Sequence, residues 1–275
     1  MSPVIQLSLK QIINVLQKLN TNSLNNSFFS HKKDQKFSLT TDSRKLQKDD
    51  LFIAIKGEAF DGHNLIDSVY QNEASLIFCE DYPQNKASEQ ICHKVENTRK
   101  LWAYMCAEAF NNPQDKIKII GITGTNGKTS TAWICQQILL QFSIKSLYIG
   151  TLGAYFDTQK LTLMHTTPDP YELFSILERA LQRGSKYFIF EASSHGLIQE
   201  RLGPIKCDAA IFTSFSRDHL DFHQTEENYW NAKLKLFKQH TKEKAPVFVQ
   251  NLLYKKLQNS LKKNNLQLVS YQAHE

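Results

Sequence analysis

Cysteine is scarce in this 275-residue chain, and its spacing suits neither a covalent nor a metal framework. The five cysteines, Cys79, Cys92, Cys106, Cys135 and Cys207, are odd in number and include no CxxC pair. That argues against a disulfide scaffold or a zinc site and for the reducing cytoplasm. No apolar run approaches the ~18 residues of a membrane helix, which excludes membrane insertion through a helix. Residues Met1 to Lys10 lack the basic segment and apolar stretch of a secretory leader. No internal repeat or low-complexity tract is present. Neither charge sign dominates: 33 basic and 27 acidic residues leave a net +6. The basic residues are scattered, which excludes a nucleic-acid stripe. The mild excess fits an anionic small substrate such as a nucleotide, or the lysine-rich codon usage of an AT-rich genome.

What is present is ordinary globular material, 41% hydrophobic and 22% charged, enough for about two domains at roughly 150 residues each. Leu9, Ile12, Ile13, Leu16 and Leu19 share one face of a predicted helix over 7–19. A polar Asn- and Ser-rich loop follows at about 20–36. Asp50 to Ile55 reads as a strand, 64–72 as a helix, Ala74 to Cys79 as a strand and 94–110 as a helix. Asn111-Asn112-Pro113-Gln114 breaks the pattern, and the domain boundary is placed there, giving 1–112 and 113–275. Beyond it, a buried-strand run at Lys118 to Thr123 leads to a helix from Thr129 to Phe142. Short apolar runs follow at 146–150, 187–191, 209–213 and 246–249, with helical segments between them. Strands alternating with helices predict an α/β fold with a mainly parallel sheet covered on both faces.

The segment Gly121-Ile122-Thr123-Gly124-Thr125-Asn126-Gly127-Lys128-Thr129 joins that strand to that helix. A glycine-rich turn there lets backbone N–H groups close around phosphate oxygens, and the helix N-terminus adds positive potential. Lys128 would reach the β/γ-phosphates and the Thr129 hydroxyl would hold Mg²⁺. The match to G-x-x-x-x-G-K-[ST] is imperfect, because Ile122 stands where the first glycine belongs. The bland alternative is a glycine-rich turn with a chance Lys-Thr. Glu191 ends the run 187–191, and a carboxylate at a strand's C-terminal end lies on the ligand-binding edge of such a sheet. A solvated or capping glutamate is the alternative there. Asp218, His219, Asp221 and His223 could suggest a transition-metal site, or a loop of ordinary polar residues. Lys233, on a probable helix, reads by default as a surface lysine. His165-Thr166-Thr167-Pro168-Asp169 reads as a helix N-cap region with proline in the first turn.

Taken in order, Gly124 to Thr129, Glu191-Ala192-Ser193-Ser194-His195-Gly196-Leu197 and Asp218-His219-Leu220-Asp221-Phe222-His223 resemble the Mur ligase family. Within it, the resemblance is to the branch that adds a third amino acid to UDP-N-acetylmuramoyl-dipeptide. The resemblance implies a small N-terminal α/β domain that binds the uridine nucleotide, followed by a phosphate-loop ATPase domain. It assigns ATP, the substrate, to Gly124, Thr125, Asn126, Gly127, Lys128, Thr129 and Ser130. It assigns Mg²⁺ to Thr129 and Glu191, and a second Mg²⁺ to His219. A hard cation usually takes oxygen ligands, so the histidine enters through the resemblance alone. The precursor falls to Ser193, Gln199 and Arg201, with Thr166 and Thr167 at its sugar or peptide. Ser43 comes from Thr41-Asp42-Ser43-Arg44, which with Gly57-Glu58-Ala59-Phe60-Asp61-Gly62 resembles the uridine segment. Lys233 corresponds to a lysine carbamylated by CO₂ (an N6-carboxylysine) that organises the magnesium site.

The implied activity is ATP-dependent peptidoglycan precursor synthesis in the cytoplasm, by a monomer, through an acyl phosphate. Diaminopimelate and lysine both remain open as the incoming amino acid. Family members have three domains. The chain ends at Glu275, inside the central domain and before the amino-acid-binding domain, so full ligase activity by this chain alone is not expected. It would be a fragment, an interrupted gene product or a reduced relative. The competing readings are another ligase of the superfamily and a protein that binds nucleotide or precursor without turnover.

Overall fold

The computed structural model describes residues 4–21, 35–57 and 60–272. Glu58, Ala59 and most of the expected polar loop lie outside the described residues. The chain forms two compact units, Met1–Asn111 and Asn112–Glu275. Asn111 and Asn112 both adopt left-handed backbone, with φ of 58° and 48°, directly before Pro113. Asparagine tolerates that region and proline cannot continue a helix.

The first unit contains β1 (Val4–Ser8), α1 (Leu9–Lys18), β2 (Lys36–Thr40), β3 (Leu51–Ile53), α2 (Ile66–Gln71), β4 (Leu76–Cys79), α3 (Lys86–Glu89), β5 (Cys92–Lys94) and α4 (Thr98–Ala109). Its sheet runs β1-β2-β3-β4-β5. Only the β1–β2 pair is antiparallel. The helix predicted over 7–19 starts two residues later, because Ser8 caps it. The Ser8 hydroxyl accepts the Gln11 N–H, and the Gln11 side chain accepts the Ser8 N–H at 2.9 Å. Upstream of the cap, Ile5 and Leu7 are buried in β1 on the period of two that a strand requires. The strand expected over Asp50–Ile55 shortens to Leu51–Ile53, since Asp50 turns back to accept the Gln47 N–H at 2.8 Å. Phe52, Ala54, Ile66, Val69, Ala74, Ile77 and Cys79 form a buried cluster.

The second unit contains β6 (Lys118–Thr123), α5 (Lys128–Gln141), β7 (Ser146–Gly150), β8 (Gly153–Phe156), β9 (Gln159–Leu161), α6 (Pro170–Gln182), β10 (Tyr187–Glu191), α7 (Ser194–Ile198), β11 (Ala209–Phe212), α8 (Leu220–His223), α9 (Glu226–Gln239), β12 (Pro246–Gln250), α10 (Asn251–Ser260) and β13 (Gln267–Tyr271). The sheet order is β13-β12-β11-β6-β10-β7-β8-β9. The six strands from β13 to β7 are parallel, and β8 and β9 add an antiparallel hairpin at one edge. Connections from β6 and β10 leave toward opposite sides, so the switch in direction falls at the central strands, where open α/β sheets bind ligands. No helix among the described residues is long and apolar enough to cross a membrane.

Neighbouring residues of β6 sort the two faces. Ile122 packs with Ala132 of α5, Tyr148 and Ile189. A Cβ on Gly121 would point the other way, to within 2.7 Å of Cys207 Sγ, 3.0 Å of Leu236 Cδ1 on α9 and 3.1 Å of Phe190 Cζ. Hence α5 and α9 cover opposite faces of β6, and Gly121 is there because α9 approaches closely. By the same alternation Tyr148, Gly150, Ile189 and Glu191 all belong to the α5 face. Gly121→Ala should cost about 1–3 kcal/mol by overpacking. Urea denaturation should show a smaller cost in a Cys207→Ala background, where the sulfur nearest the new methyl is gone.

Candidate active site

The loop after β6 closes on the loop after β11, so the C-terminal ends of adjacent strands form one surface. Thr125 N donates to Ser214 O at 2.8 Å, and Asn126 N donates to Ser214 Oγ at 2.9 Å. Thr213 Oγ1 donates to Asn126 O at 2.6 Å. The Thr125 hydroxyl donates to Ser216 O and accepts the Ser216 N–H, at 3.1 and 3.0 Å. These contacts leave no room at Gly124, whose φ is 152° and where a Cβ would overlap Thr213 Oγ1. Gly127, at φ 83°, makes the left-handed turn that starts α5. Asn126 and Gly127 are exposed, and Lys128 and Thr129 partly so.

Two lysines converge on this loop. Lys128 Nζ donates to the carbonyls of Gly124 and Thr125, at 3.0 and 2.8 Å. Lys233 Nζ donates to the same Gly124 carbonyl at 2.7 Å. It lies 4.3 Å from the Tyr229 ring centroid. Lys233 is 1% exposed, far from the surface lysine expected by default. Burial, and secondarily the Lys128 charge, bring its ammonium down to about 7, with Asp218 opposing. Burial also lowers Lys128, against the pull of Glu191 and Asp218. Two ammonium groups on one carbonyl repel, and the deeper one loses its proton more readily.

Glu191 lies at the end of β10, with no solvent exposure. Its Oε1 accepts the Tyr148 hydroxyl at 2.5 Å and the Thr151 N–H at 3.0 Å. Its Oε2 accepts the Thr129 hydroxyl at 2.9 Å and the Thr151 hydroxyl at 3.2 Å. Thr129 and Glu191, expected to share a cation, are therefore brought together. Oxygen donors of this kind suit Mg²⁺, which needs only one or two carboxylates when waters and phosphates complete its shell. No group of three His, Cys, Asp or Glu side chains among the described residues forms a ready cage.

The remaining candidates divide. Thr167 is buried; its hydroxyl donates to Glu191 O at 2.9 Å and accepts the Ser193 N–H at 3.1 Å. Thr166 is more open, with its hydroxyl 3.3 Å from that of Thr151. Ser193 caps α7 through the Gly196 N–H at 3.1 Å. Arg201 Nη1 donates to Thr167 O at 2.6 Å. Gln199 follows α7, its N–H donating to His195 O at 2.9 Å. Asp169 caps α6 with Pro170 in the first turn, as the pattern suggested. His219 adopts left-handed backbone at φ 52°. Its imidazole lies 5.3 Å from that of His195 and 6.0 Å from the Tyr229 ring, and its Nε2 lies 3.5 Å from Asp218 Oδ2. His223 is buried against Ser194 Oγ at 2.9 Å and is lowered to about 4, chiefly by burial. Ser43 belongs to the first unit. There Asp42 caps a short 3₁₀ turn over Ser43–Lys45 and is held at about 2, mainly by its paired hydrogen bonds from Arg44.

The sequence reading missed Tyr148, Gly150 and Thr151. Tyr148 sits in a buried strand run, where a hydroxyl is indistinguishable from core until the neighbouring strand is known. Thr213 and Ser214, at and just after the end of the apolar run 209–213, were given no role either.

Comparison with known proteins adds an independent line. The family model described as "Mur ligase middle domain" matches residues 122–275, and "Mur ligase family, catalytic domain" matches 38–108. A UDP-N-acetylmuramoyl-L-alanyl-D-glutamate–2,6-diaminopimelate ligase of Clostridium perfringens is 43% identical over 71% of this chain and 40% of its own length. One of Clostridium botulinum is 39% identical over 78% of this chain and 45% of its own. The chain thus spans less than half the length of these relatives. A solved structure of a ligase with the same name superposes at TM-score 0.73, with 24% identity, over 94% of this chain and 52% of that one. MurF from Acinetobacter baumannii does so at 0.54 and 18%, over 98% and 54%. At these identities the superpositions show the shared fold.

Two pH dependences follow from the buried bases. Lys233 titrates near 7 when folded and near 10.5 when unfolded. Between those values the unfolded chain holds more protons, so this group makes stability rise with pH. Urea denaturation from pH 7 to 10 should show that rise in the parent and a flatter profile in Lys233→Met. His223 titrates near 4 folded and 6.5 unfolded. Stability should therefore fall as pH drops from 6.5 toward 4, less so in His223→Asn.

Proposed function

The chain belongs to the Mur ligase family, and from that premise we propose that it serves ATP-dependent extension of UDP-N-acetylmuramoyl-L-Ala-D-Glu by diaminopimelate. The observation that carries this is the meeting of Thr129 and Glu191 at 2.9 Å, beside a loop whose Gly124 carbonyl holds Lys128 and Lys233. Diaminopimelate, rather than lysine, follows the names of the two clostridial relatives. We assign the second unit, 113–275, to ATP and the first, 1–112, to the uridine end of the precursor through Ser43. The protein acts as a monomer in the cytoplasm.

In this reading the N–H groups of Gly127 to Ser130, at the start of α5, face the phosphates, while those of Thr125 and Asn126 hold the loop to Ser214. Lys128 exchanges its two carbonyl partners for β/γ-phosphate oxygens, an exchange of weak acceptors for anionic ones. Thr129 and Glu191 would hold one Mg²⁺ and His219 would serve a second, and these cations when bound would neutralise the phosphate charge. The precursor carboxylate attacks the γ-phosphorus and ADP leaves, giving an acyl phosphate. The amine of the incoming amino acid then attacks the acyl carbon, inorganic phosphate departs with the bonding pair, and the amine loses a proton. Arg201, with Ser193, Gln199 and Thr166, holds the precursor, and Thr167 fixes Ser193. A guanidinium suits a carboxylate through paired hydrogen bonds. The Lys233 amine, already near neutrality, is competent to add CO₂; its carbamate would place an anion beside Lys128.

Calorimetry on the purified chain with Mg²⁺ tests the reading. ATP should bind, and Lys128→Ala should weaken it by about 10- to 100-fold, the loss expected for charged hydrogen bonds. UDP-N-acetylmuramoyl-L-Ala-D-Glu should bind, and Arg201→Ala should weaken it by a similar factor. A folded chain that binds neither ligand sinks the proposal. ADP formation only when precursor and diaminopimelate are both present would extend it to turnover.

A further inference from the structure

We propose that Tyr148 is a positioning residue that fixes the Glu191 carboxylate for the phosphate-bound cation, with Gly150 keeping the space that the carboxylate occupies. The inference rests on the reading of Glu191 and Thr129 as cation-site residues and adds a partner from the neighbouring strand.

The argument begins with register. Tyr148 pairs with Ile189 across β7 and β10, so it and Glu191 project from the same face, two positions apart along the sheet. Glu191 Oε1 takes the Tyr148 hydroxyl at 2.5 Å and the Thr151 N–H at 3.0 Å. Both donors come from β7 or the turn that follows it. Oε1 is thereby tied to the neighbouring strand, and Oε2 is turned toward Thr129 Oγ1 at 2.9 Å, with the Thr151 hydroxyl also on it at 3.2 Å. A carboxylate held at one oxygen by two donors cannot rotate to exchange its oxygens without breaking both bonds.

Gly150 completes the arrangement. A Cβ there would overlap Glu191 Oε1 and the Tyr148 hydroxyl, and would lie 2.7 Å from Glu191 Cδ. Any side chain at 150 would displace the carboxylate. The tyrosine is itself held: it is fully buried, with its ring edge-on to Trp133 at 5.7 Å and near Tyr155 at 6.0 Å. A phenol ionises only at about pH 10, so the hydroxyl remains a donor throughout the physiological range. Partners that orient a metal ligand in this way are worth about 10- to 100-fold in metal affinity when removed.

The test is a Mg²⁺ titration of ATP binding, followed by calorimetry, on the full 275-residue chain and two variants. Tyr148→Phe keeps the ring and removes the donor. Gly150→Ala keeps the tyrosine but crowds both its hydroxyl and the carboxylate. Both should raise the half-saturating Mg²⁺ concentration by about 10- to 100-fold, with ATP affinity at saturating Mg²⁺ restored to within about twofold. ATP binding weakened equally at every Mg²⁺ concentration, as a merely structural role predicts, would overturn the positioning role. An unchanged Mg²⁺ requirement in a folded Tyr148→Phe chain overturns the positioning role while leaving the cation-site reading intact. Should Tyr148→Phe fail to fold, an unchanged requirement in Gly150→Ala overturns it equally. Parental ATP binding that is indifferent to Mg²⁺, with Glu191→Gln binding alike, overturns the cation-site reading and the positioning role together.

Discussion

A carboxylate removed from water is tolerated only when its oxygens are taken up by donors, and in the second unit that group is Glu191. Four hydrogen bonds reach it from Thr129, Tyr148 and Thr151. These residues come from the start of α5, from β7 and from the turn after β7. Each of those segments is located by the parallel register of β6, β10 and β7. The loop between β6 and α5 depends on it in turn, because Thr129 is the second residue of α5 and sets where that helix begins relative to the sheet. Thr167, which bonds the Glu191 carbonyl and Ser193, extends the same network to the segment that carries Arg201.

The opposite side of the loop is organised by positive charge. Lys128 and Lys233 both reach the Gly124 carbonyl, one near the mouth and one buried on α9. A single carbonyl cannot balance two ammonium groups, and Asp218 is the acidic group that acts on both. Glu191 acts on Lys128 as well, so two carboxylates counter that lysine while burial moves Lys233 toward neutrality. The conformation of the loop is dictated by its neighbours: Gly124 has no space for a side chain because Thr213 and Ser214 press on it. Here the backbone geometry of the loop is maintained in part by the segment after β11.

The amino-acid sequence by itself determined the alternation of strands and helices, the break at Asn111 to Pro113, the strand–loop–helix setting of Lys128 and Thr129, and the position of Glu191 at a strand end. These are local properties: hydrophobic period, turn chemistry and capping act over a few residues and leave their mark in the order of the chain. The order of motifs also carried the family resemblance, because each motif is a contiguous word. Helix starts were legible only to within a turn, as at Ser8, where the cap competes with the strand before it. Only the tertiary structure decided what lies across from what. That Tyr148 is a donor to Glu191, that Gly150 is the space beside it, and that Lys233 is buried on the loop 109 residues upstream all depend on strand order and helix face. Those are set by long-range packing, and nothing in the neighbouring residues of the chain records them.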